Sequence, residues 1–184
     1  MTRIVAGSAG GRRLKVPPKG TRPTSERVRE ALFSSLEAMM DLDGAKVLDL
    51  YAGSGALGFE ALSRGAEHAT FVESDKRAAE VLKANARELG FEDVLIANRT
   101  AEAYAATEGE KFDVVFADPP YAVTDDELAK VLRALAGRLA EDAVLIVERG
   151  SKSGEPEWPE QVEALRAKRY GDTAVYWGQV RADG

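Results

Sequence analysis

The chain has no cysteine, one histidine and only 7% aromatic residues among its 184. Each shortage removes a class of chemistry. Without cysteine there are no disulfides, thiolate metal sites or thiol nucleophiles, and the composition suits a reducing compartment, so a cytoplasmic location is expected. A histidine zinc centre or a Ser/His/Asp triad would rest on His68 alone. That residue opens an apolar run, where a capping or surface role is expected, so no metal site is anticipated. No apolar stretch approaches the roughly 20 residues that span a bilayer. The basic N-terminus also lacks the apolar segment of a signal peptide, so no membrane partner is expected. A chain of this length favours one domain, burying roughly 70% of its unfolded surface, and a monomer is expected.

Charge is unevenly distributed. The net charge is −6. Residues 1–29 carry Arg3, Arg12, Arg13, Lys15, Lys19, Arg22, Arg27 and Arg29 against Glu26, a net of +7 that leaves −13 on the rest. A basic arm on an acidic body can bind phosphates locally; the alternative is a solvated tail.

Residues 3–7 and 13–16 read as a small β-hairpin around Gly10-Gly11. A helix is expected from Thr24 or Ser25, either hydroxyl capping it, with Val28, Ala31, Leu32, Leu36 and Met39 as its buried stripe. Strands then alternate with helices. Strands are expected at 47–50, 69–72, 94–96, 112–117 and 143–147, and helices at 57–64, 76–89, 102–106 and 125–139. That alternation indicates a parallel sheet covered on both faces. Two further strands, 162–169 and 173–180, meet at Tyr170-Gly171-Asp172, a tight hairpin signal. Trp158 and Trp177 read as packing residues.

The chemistry concentrates in two motifs. Gly53-Ser54-Gly55-Ala56-Leu57-Gly58 joins a strand to a helix, where glycines let backbone turn sharply and approach a ligand. Glu73, at the end of the next strand, is placed to accept hydrogen bonds from two ribose hydroxyls. This pattern identifies an adenosine ligand without saying which. Asp49, on the strand before the glycines, would repel a pyrophosphate and attract the cationic amino and sulfonium groups of S-adenosylmethionine; Ser54 adds a hydrogen-bond donor. The second motif is Asp118-Pro119-Pro120-Tyr121, at the carboxyl end of strand 112–117, the edge where open α/β sheets bind ligands. Two prolines stiffen the loop and remove two N–H donors. An ionised Asp118 accepts only. Asp118 and the Pro119 carbonyl can take both hydrogens of an exocyclic amine, freeing its lone pair toward a methyl group, while Tyr121 stacks on the base.

These residues resemble the RsmD family of bacterial 16S ribosomal RNA guanine-N2 methyltransferases. The likeness runs along nearly the whole chain. It is carried by Arg3-Ile4-Val5-Ala6-Gly7, Gly11-Arg12, the stretch from Arg22-Pro23-Thr24-Ser25-Glu26 to Ala31-Leu32-Phe33, Asp49 to Gly55, Asp118 to Tyr121, and Tyr170-Gly171-Asp172-Thr173. The resemblance implies an α/β fold of the class I S-adenosylmethionine-dependent methyltransferases, with a mostly parallel seven-stranded sheet closed by an antiparallel hairpin. A basic hairpin arm (1–20) would precede a methyltransferase domain (21–184). It implies S-adenosyl-L-methionine as cofactor and 16S rRNA within an assembled or assembling small ribosomal subunit as substrate. It places Thr24, Asp49, Ala52, Gly53, Ser54, Gly55, Gly58, Glu73, Ser74, Thr100 and Ala101 around the cofactor and Asp118, Pro119, Pro120 and Tyr121 at the guanine. Arg99 departs from the family's usual small residue beside the adenine. Arg3, Arg12, Arg13, Lys15, Arg22 and Arg27 are the expected RNA contacts, with Arg29 either joining them or pairing with the acidic body.

Rival readings are a methyltransferase for another exocyclic amine (DNA adenine-N6 or cytosine-N4, or another RNA guanine), an NAD-dependent oxidoreductase, and a non-catalytic RNA-binding module. The absence of a recognition domain disfavours the first, Asp49 and the Pro-Pro loop the second, and the intact Asp118–Tyr121 loop the third.

Overall fold

A computed structural model describes residues 2–18 and 25–182 of the chain. The expected contacts Arg22 and Thr24 lie outside the described residues. In chain order the elements are β1 (Thr2–Arg3), β2 (Arg13–Leu14), α1 (Glu26–Met39), β3 (Lys46–Leu50), α2 (Ala56–Ser63), β4 (His68–Val72), α3 (Lys76–Leu89), β5 (Val94–Ala97), α4 (Ala101–Ala105), β6 (Phe112–Ala117), α5 (Asp125–Ala134), a 3-10 turn (Ala136–Arg138), β7 (Leu139–Gly150), β8 (Val162–Tyr170) and β9 (Thr173–Val180).

Seven strands form one sheet in the order β5-β4-β3-β6-β7-β9-β8. The first five run parallel, and β9 pairs antiparallel with both β7 and β8. This is the architecture of class I methyltransferases. The order reverses direction between β3 and β6, so a crevice opens there at the carboxyl ends of the strands.

Alternation along the strands fills two cores. Val47, Phe71, Val114, Phe116 and Ile146 pack under α1, α2 and α3. Their neighbours Leu48, Leu50, Val115, Ala117, Leu145 and Val147 pack under α4 and α5. Period-two geometry therefore fixes which side of the sheet every strand-end residue leaves from.

Local chemistry sets the element ends. The Ser25 hydroxyl accepts from Val28 N at 3.2 Å and caps α1, a bond worth about 1 kcal/mol. Asp75 caps α3 in the same way, and Gly90 stops it at φ 76°. The helix expected over 125–139 ends at Ala134 and tightens into the 3-10 turn, because Leu139 already pairs with Phe112 in the sheet. A register irregularity follows, with Asp142 at φ 58°, which is why β7 is 12 residues long rather than the expected 143–147.

The N-terminal hairpin is shorter than its sequence suggests, with two residues in each strand. It is nevertheless fastened to the body: Ile4 and Leu14 sit in the first core. Glu60 on α2 is fully buried and acts as the hub. It accepts from Val5 N (2.8 Å), Ala6 N (3.1 Å), Arg29 Nη1 (3.0 Å) and Arg64 Nε (3.0 Å). Arg29 is also fully buried and donates to the Arg3 carbonyl at 2.6 Å. Of the two roles open to Arg29, the structure shows the pairing with the acidic body. Removing one partner of such a buried pair costs about 3–5 kcal/mol.

Candidate active site

The site is a cleft of about 620 Å³ across the carboxyl ends of β3, β4, β6 and β7. Its two sides are built differently.

On one side, backbone turns and one carboxylate dominate. The chain leaves β3 through Tyr51 at φ 58°, a conformation that costs a non-glycine residue about 1–2 kcal/mol. Ala52 N donates to Val72 O at 3.0 Å, tying the loop to β4. Gly53 (φ 57°) lines the cleft, and its N–H donates to Glu73 Oε1 at 2.9 Å. Glu73 Oε2 accepts from Asp75 N at 2.9 Å. Each oxygen keeps a second lone pair, so the carboxylate can still take two hydroxyl donors. Asn98 Nδ2 donates to the carbonyls of Glu73 and Ser74 (2.9 and 3.1 Å), fixing the backbone beside it. Ser74, Arg99, Thr100 and Ala101 continue the wall. The Thr100 hydroxyl itself is occupied, capping α4 through Ala103 N at 3.1 Å.

The other glycine-loop residues lie behind this surface. A Cβ on Gly55 (φ 82°) would come within 2.6 Å of Phe59 and Leu82; one on Gly58 would come within 2.3 Å of the Phe71 ring. Ser54 is buried, and its carbonyl accepts from Asn85 Nδ2 at 3.1 Å. Asp49 is also buried, 2% exposed, and accepts from Gly58 N at 3.0 Å. Alternation explains its position: like Val47 it leaves the α2 face of the sheet, beneath the loop. Burial pushes its carboxyl up to about 8, against the Gly58 hydrogen bond, and the charge of Glu73 adds to the rise. The loop thus stands over a carboxyl whose ionisation a cationic ligand favours.

On the other side, side chains dominate. Asp118 leaves the end of β6, and Pro119, Pro120 and Tyr121 follow it along the cleft wall. The Pro120 carbonyl accepts from Val123 N at 3.0 Å, closing the loop. Tyr121 is 83% exposed, with its ring beside Gly150. An aromatic this open at a cleft mouth has a free face for stacking.

Facing Asp118 is Glu148, which sequence reasoning missed. Ala117 of β6 pairs with Val147 of β7, so the next residue of each strand projects from the same face of the sheet. The two carboxyl groups line the same cleft. Burial raises the Asp118 carboxyl well above the ordinary range, and the charge and hydrogen bond of Glu148 raise it further. Arg149, also missed, donates to Val123 O (3.3 Å) and Asp125 Oδ1 (2.8 Å), pinning the loop that follows Asp118 to β7. Tyr170 and Thr173 from the β8–β9 turn line the cleft with them. The signal for Glu148 was its place just after an apolar strand, at the ligand-binding edge.

Among the described residues no group of three or more His, Asp or Glu side chains is arranged to hold a metal ion. None of their helices is long and apolar enough to cross a membrane. His68 lies at the opposite end of β4 from the cleft, between Asp93 (2.7 Å) and Thr70 (2.8 Å). Among the described residues, the expected RNA contacts lie on the N-terminal hairpin and at the start of α1. Arg3 pairs with Glu26 (2.8 Å) and Lys15 with Glu88 (3.0 Å). Arg12 donates to Glu88 O (2.7 Å), and Arg13 and Arg27 are exposed. Exposed pairs of this kind contribute little, so a polyanion can displace them.

A family model described as "Conserved hypothetical protein 95" matches residues 2–179. The chain belongs to this family. Similar proteins include ribosomal RNA small subunit methyltransferase D of Escherichia coli, 38% identical over 183 residues, covering 99% of this chain and 91% of that one. The Haemophilus influenzae protein of the same name is 40% identical over 151 residues, covering 79% and 77%. The solved structure of yhhF from Escherichia coli superposes with a TM-score of 0.87 at 34% identity, covering 98% of both chains.

Proposed function

We propose that the protein transfers a methyl group from S-adenosylmethionine to the exocyclic N2 amine of a guanine in 16S rRNA, within an assembled or assembling small ribosomal subunit. The observation that carries this reading is the pairing of a ribose-type carboxylate, Glu73, with an acceptor-only edge, Asp118-Pro119-Pro120, across one cleft. Its family membership and the activity named in its relatives support it.

The residues fit the cofactor. Glu73 has a lone pair free on each oxygen for the ribose, Gly53 lets backbone approach, and the wall from Ser74 to Ala101 takes the adenine. The buried carboxyl of Asp49 and the cleft's acidic residues suit a cation. When bound, S-adenosylmethionine supplies an electrophilic methyl carbon on a sulfonium. Asp118 and the Pro119 carbonyl accept the two N2 hydrogens and turn the nitrogen's lone pair toward that carbon. The chain's part is to hold that nitrogen toward the methyl carbon while positive charge develops on it. Asp118 stabilises that charge and takes the proton the nitrogen sheds, its proton affinity raised by burial and by Glu148. Tyr121 sets the plane of the base. Much of the acceleration is positional. Arg3, Arg12, Arg13, Lys15 and Arg27 grip phosphates by exchanging their weak internal partners, which adds affinity without sequence choice.

The test is mass mapping of rRNA from cells lacking the protein, before and after treatment with it and the cofactor. One N2-methylguanosine should appear in small subunits. Methyl on another base, or on DNA in preference to subunits, would overturn the reading.

A further inference from the structure

The Asp118–Glu148 pair raises a question that methyl transfer alone does not answer. Asp118, with the Pro119 carbonyl, suffices to hold an exocyclic amine, and adenine, cytosine and guanine all have one. Yet β7 brings a second carboxyl to the same edge, lining the same cleft one residue beyond the paired Ala117 and Val147. The segment between Ala117 and Tyr121 contributes no proline N–H. Both side chains are acceptors when ionised.

The bases differ in the atom next to the amine. Guanine carries N1–H beside its N2 amine, so that edge presents three hydrogens in a row. Adenine has the N1 lone pair beside N6, and cytosine the N3 lone pair beside N4. An edge built of two carboxylates and a proline carbonyl matches three donors and opposes a lone pair.

We propose that Glu148 is the residue that selects guanine, its carboxylate accepting the N1–H while Asp118 and the Pro119 carbonyl hold the N2 amine. This rests on the methyl-transfer reading above and assigns its base specificity to one side chain. A guanine supplies an N–H donor to each of the two carboxyls. An adenine or a cytosine would set its lone pair against the Glu148 carboxylate, leaving two acceptors face to face in a partly desolvated site. Arg149 sits beside Glu148, and its Nη2 donates to Val123 O and Asp125 Oδ1, which positions the loop.

The test uses small subunits reconstituted with 16S rRNA that carries either guanine or 2-aminopurine at the methylated position. 2-Aminopurine keeps the N2 amine and replaces N1–H with a lone pair. Labelled methyl transfer to both particles is compared for the wild-type enzyme and Glu148→Gln. The wild type should prefer guanine by about 100-fold or more, since a site built around a hydrogen bond rejects the analogue lacking it. A glutamine amide can accept from N1–H or donate to the lone pair, so the preference should fall to within about tenfold. Each ratio is taken within one enzyme preparation, so a loss of folded protein cancels. A ratio unchanged by Glu148→Gln overturns this inference and leaves the methyl-transfer reading standing. A wild-type enzyme that fails to methylate N2 of guanine in the natural particle overturns that reading, and this inference with it.

Discussion

The two sides of the cleft solve different problems with different materials. The side under the glycine loop is backbone, one hydrogen-bonded carboxylate and tightly packed glycines. Its parts lie within residues 49–58 and 73–75, with the 98–101 wall beyond. The side at β6 and β7 is made of side chains from three separate stretches: Asp118–Tyr121, Glu148-Arg149 and the Tyr170–Thr173 turn. The first side has to recognise an invariant molecule, and fixed backbone does that with little to rearrange. On the proposed reading, the second has to admit a nucleotide of rRNA, fix its plane and receive a proton, which demands ionisable and stacking groups. Binding of the donor and reactivity of the acceptor should therefore be separable by mutation.

The sharpest break falls on Asp118. Asp118→Ala removes the acceptor that aligns the amine and stabilises its charge, and kcat should fall by about 10²–10³-fold. Calorimetric titration of S-adenosylmethionine should show affinity within a few-fold of wild type, because the cofactor side is untouched. Equal losses of binding and turnover would dissolve the distinction between the two sides.

The converse change comes next. Glu73→Ala deletes the acceptor facing the ribose and the anchor of Gly53 N and Asp75 N. Hydrogen bonds to a charged group are worth about 1.5–3 kcal/mol, so cofactor affinity should weaken about 10–100-fold. Turnover at saturating cofactor should change far less, as measured by methyl transfer over a cofactor concentration series. A kcat that collapses at saturation would place Glu73 in the chemistry instead.

The same division governs what was legible in the sequence. Residues close along the chain announced themselves: the strand, glycine loop and helix from Asp49 to Gly58, Glu73 at the next strand end, and Asp118-Pro119-Pro120-Tyr121 after an apolar run. What required three dimensions was hidden. Glu148 meets Asp118 only because β6 and β7 pair with Ala117 opposite Val147, and no local pattern encodes that register. The irregularity around Asp142 obscured it further, since the periodic pattern of α5 ran on through the 3-10 turn to Leu139. Asp49 illustrates the opposite lesson. Its charge pointed to a cationic ligand, while the structure turns its side chain under α2, onto Gly58 N, because Asp49 shares a face of β3 with Val47. Arg29, counted with the basic arm, proved to be a buried partner of Glu60, because a cation in the first turns of an amphipathic helix gives no hint of the carboxylate 31 residues on.

The smallest effect is the most diagnostic of how the acceptor side is tuned. Asp118 must be ionised to accept the amine, and its carboxyl is raised by burial first, then by Glu148, with Asp49 adding to the rise and Arg149 opposing it. A raised carboxyl stays protonated to higher pH. Activity should thus fall on acidification sooner than an ordinary carboxylate would dictate, with kcat/KM rising as pH increases through the free-enzyme value. Glu148→Gln removes the neighbouring negative charge while keeping a hydrogen-bonding side chain of the same shape. The ionised form of Asp118 then gains, and the acidic limb should move to lower pH by about one unit. Glu73→Gln, on the far side of the cleft and absent from the groups that raise Asp118, should leave that limb in place. If both variants shift it alike, the two sides titrate as one electrostatic unit. If Glu148→Gln alone does so, the proton handled in methyl transfer belongs to the β6–β7 edge.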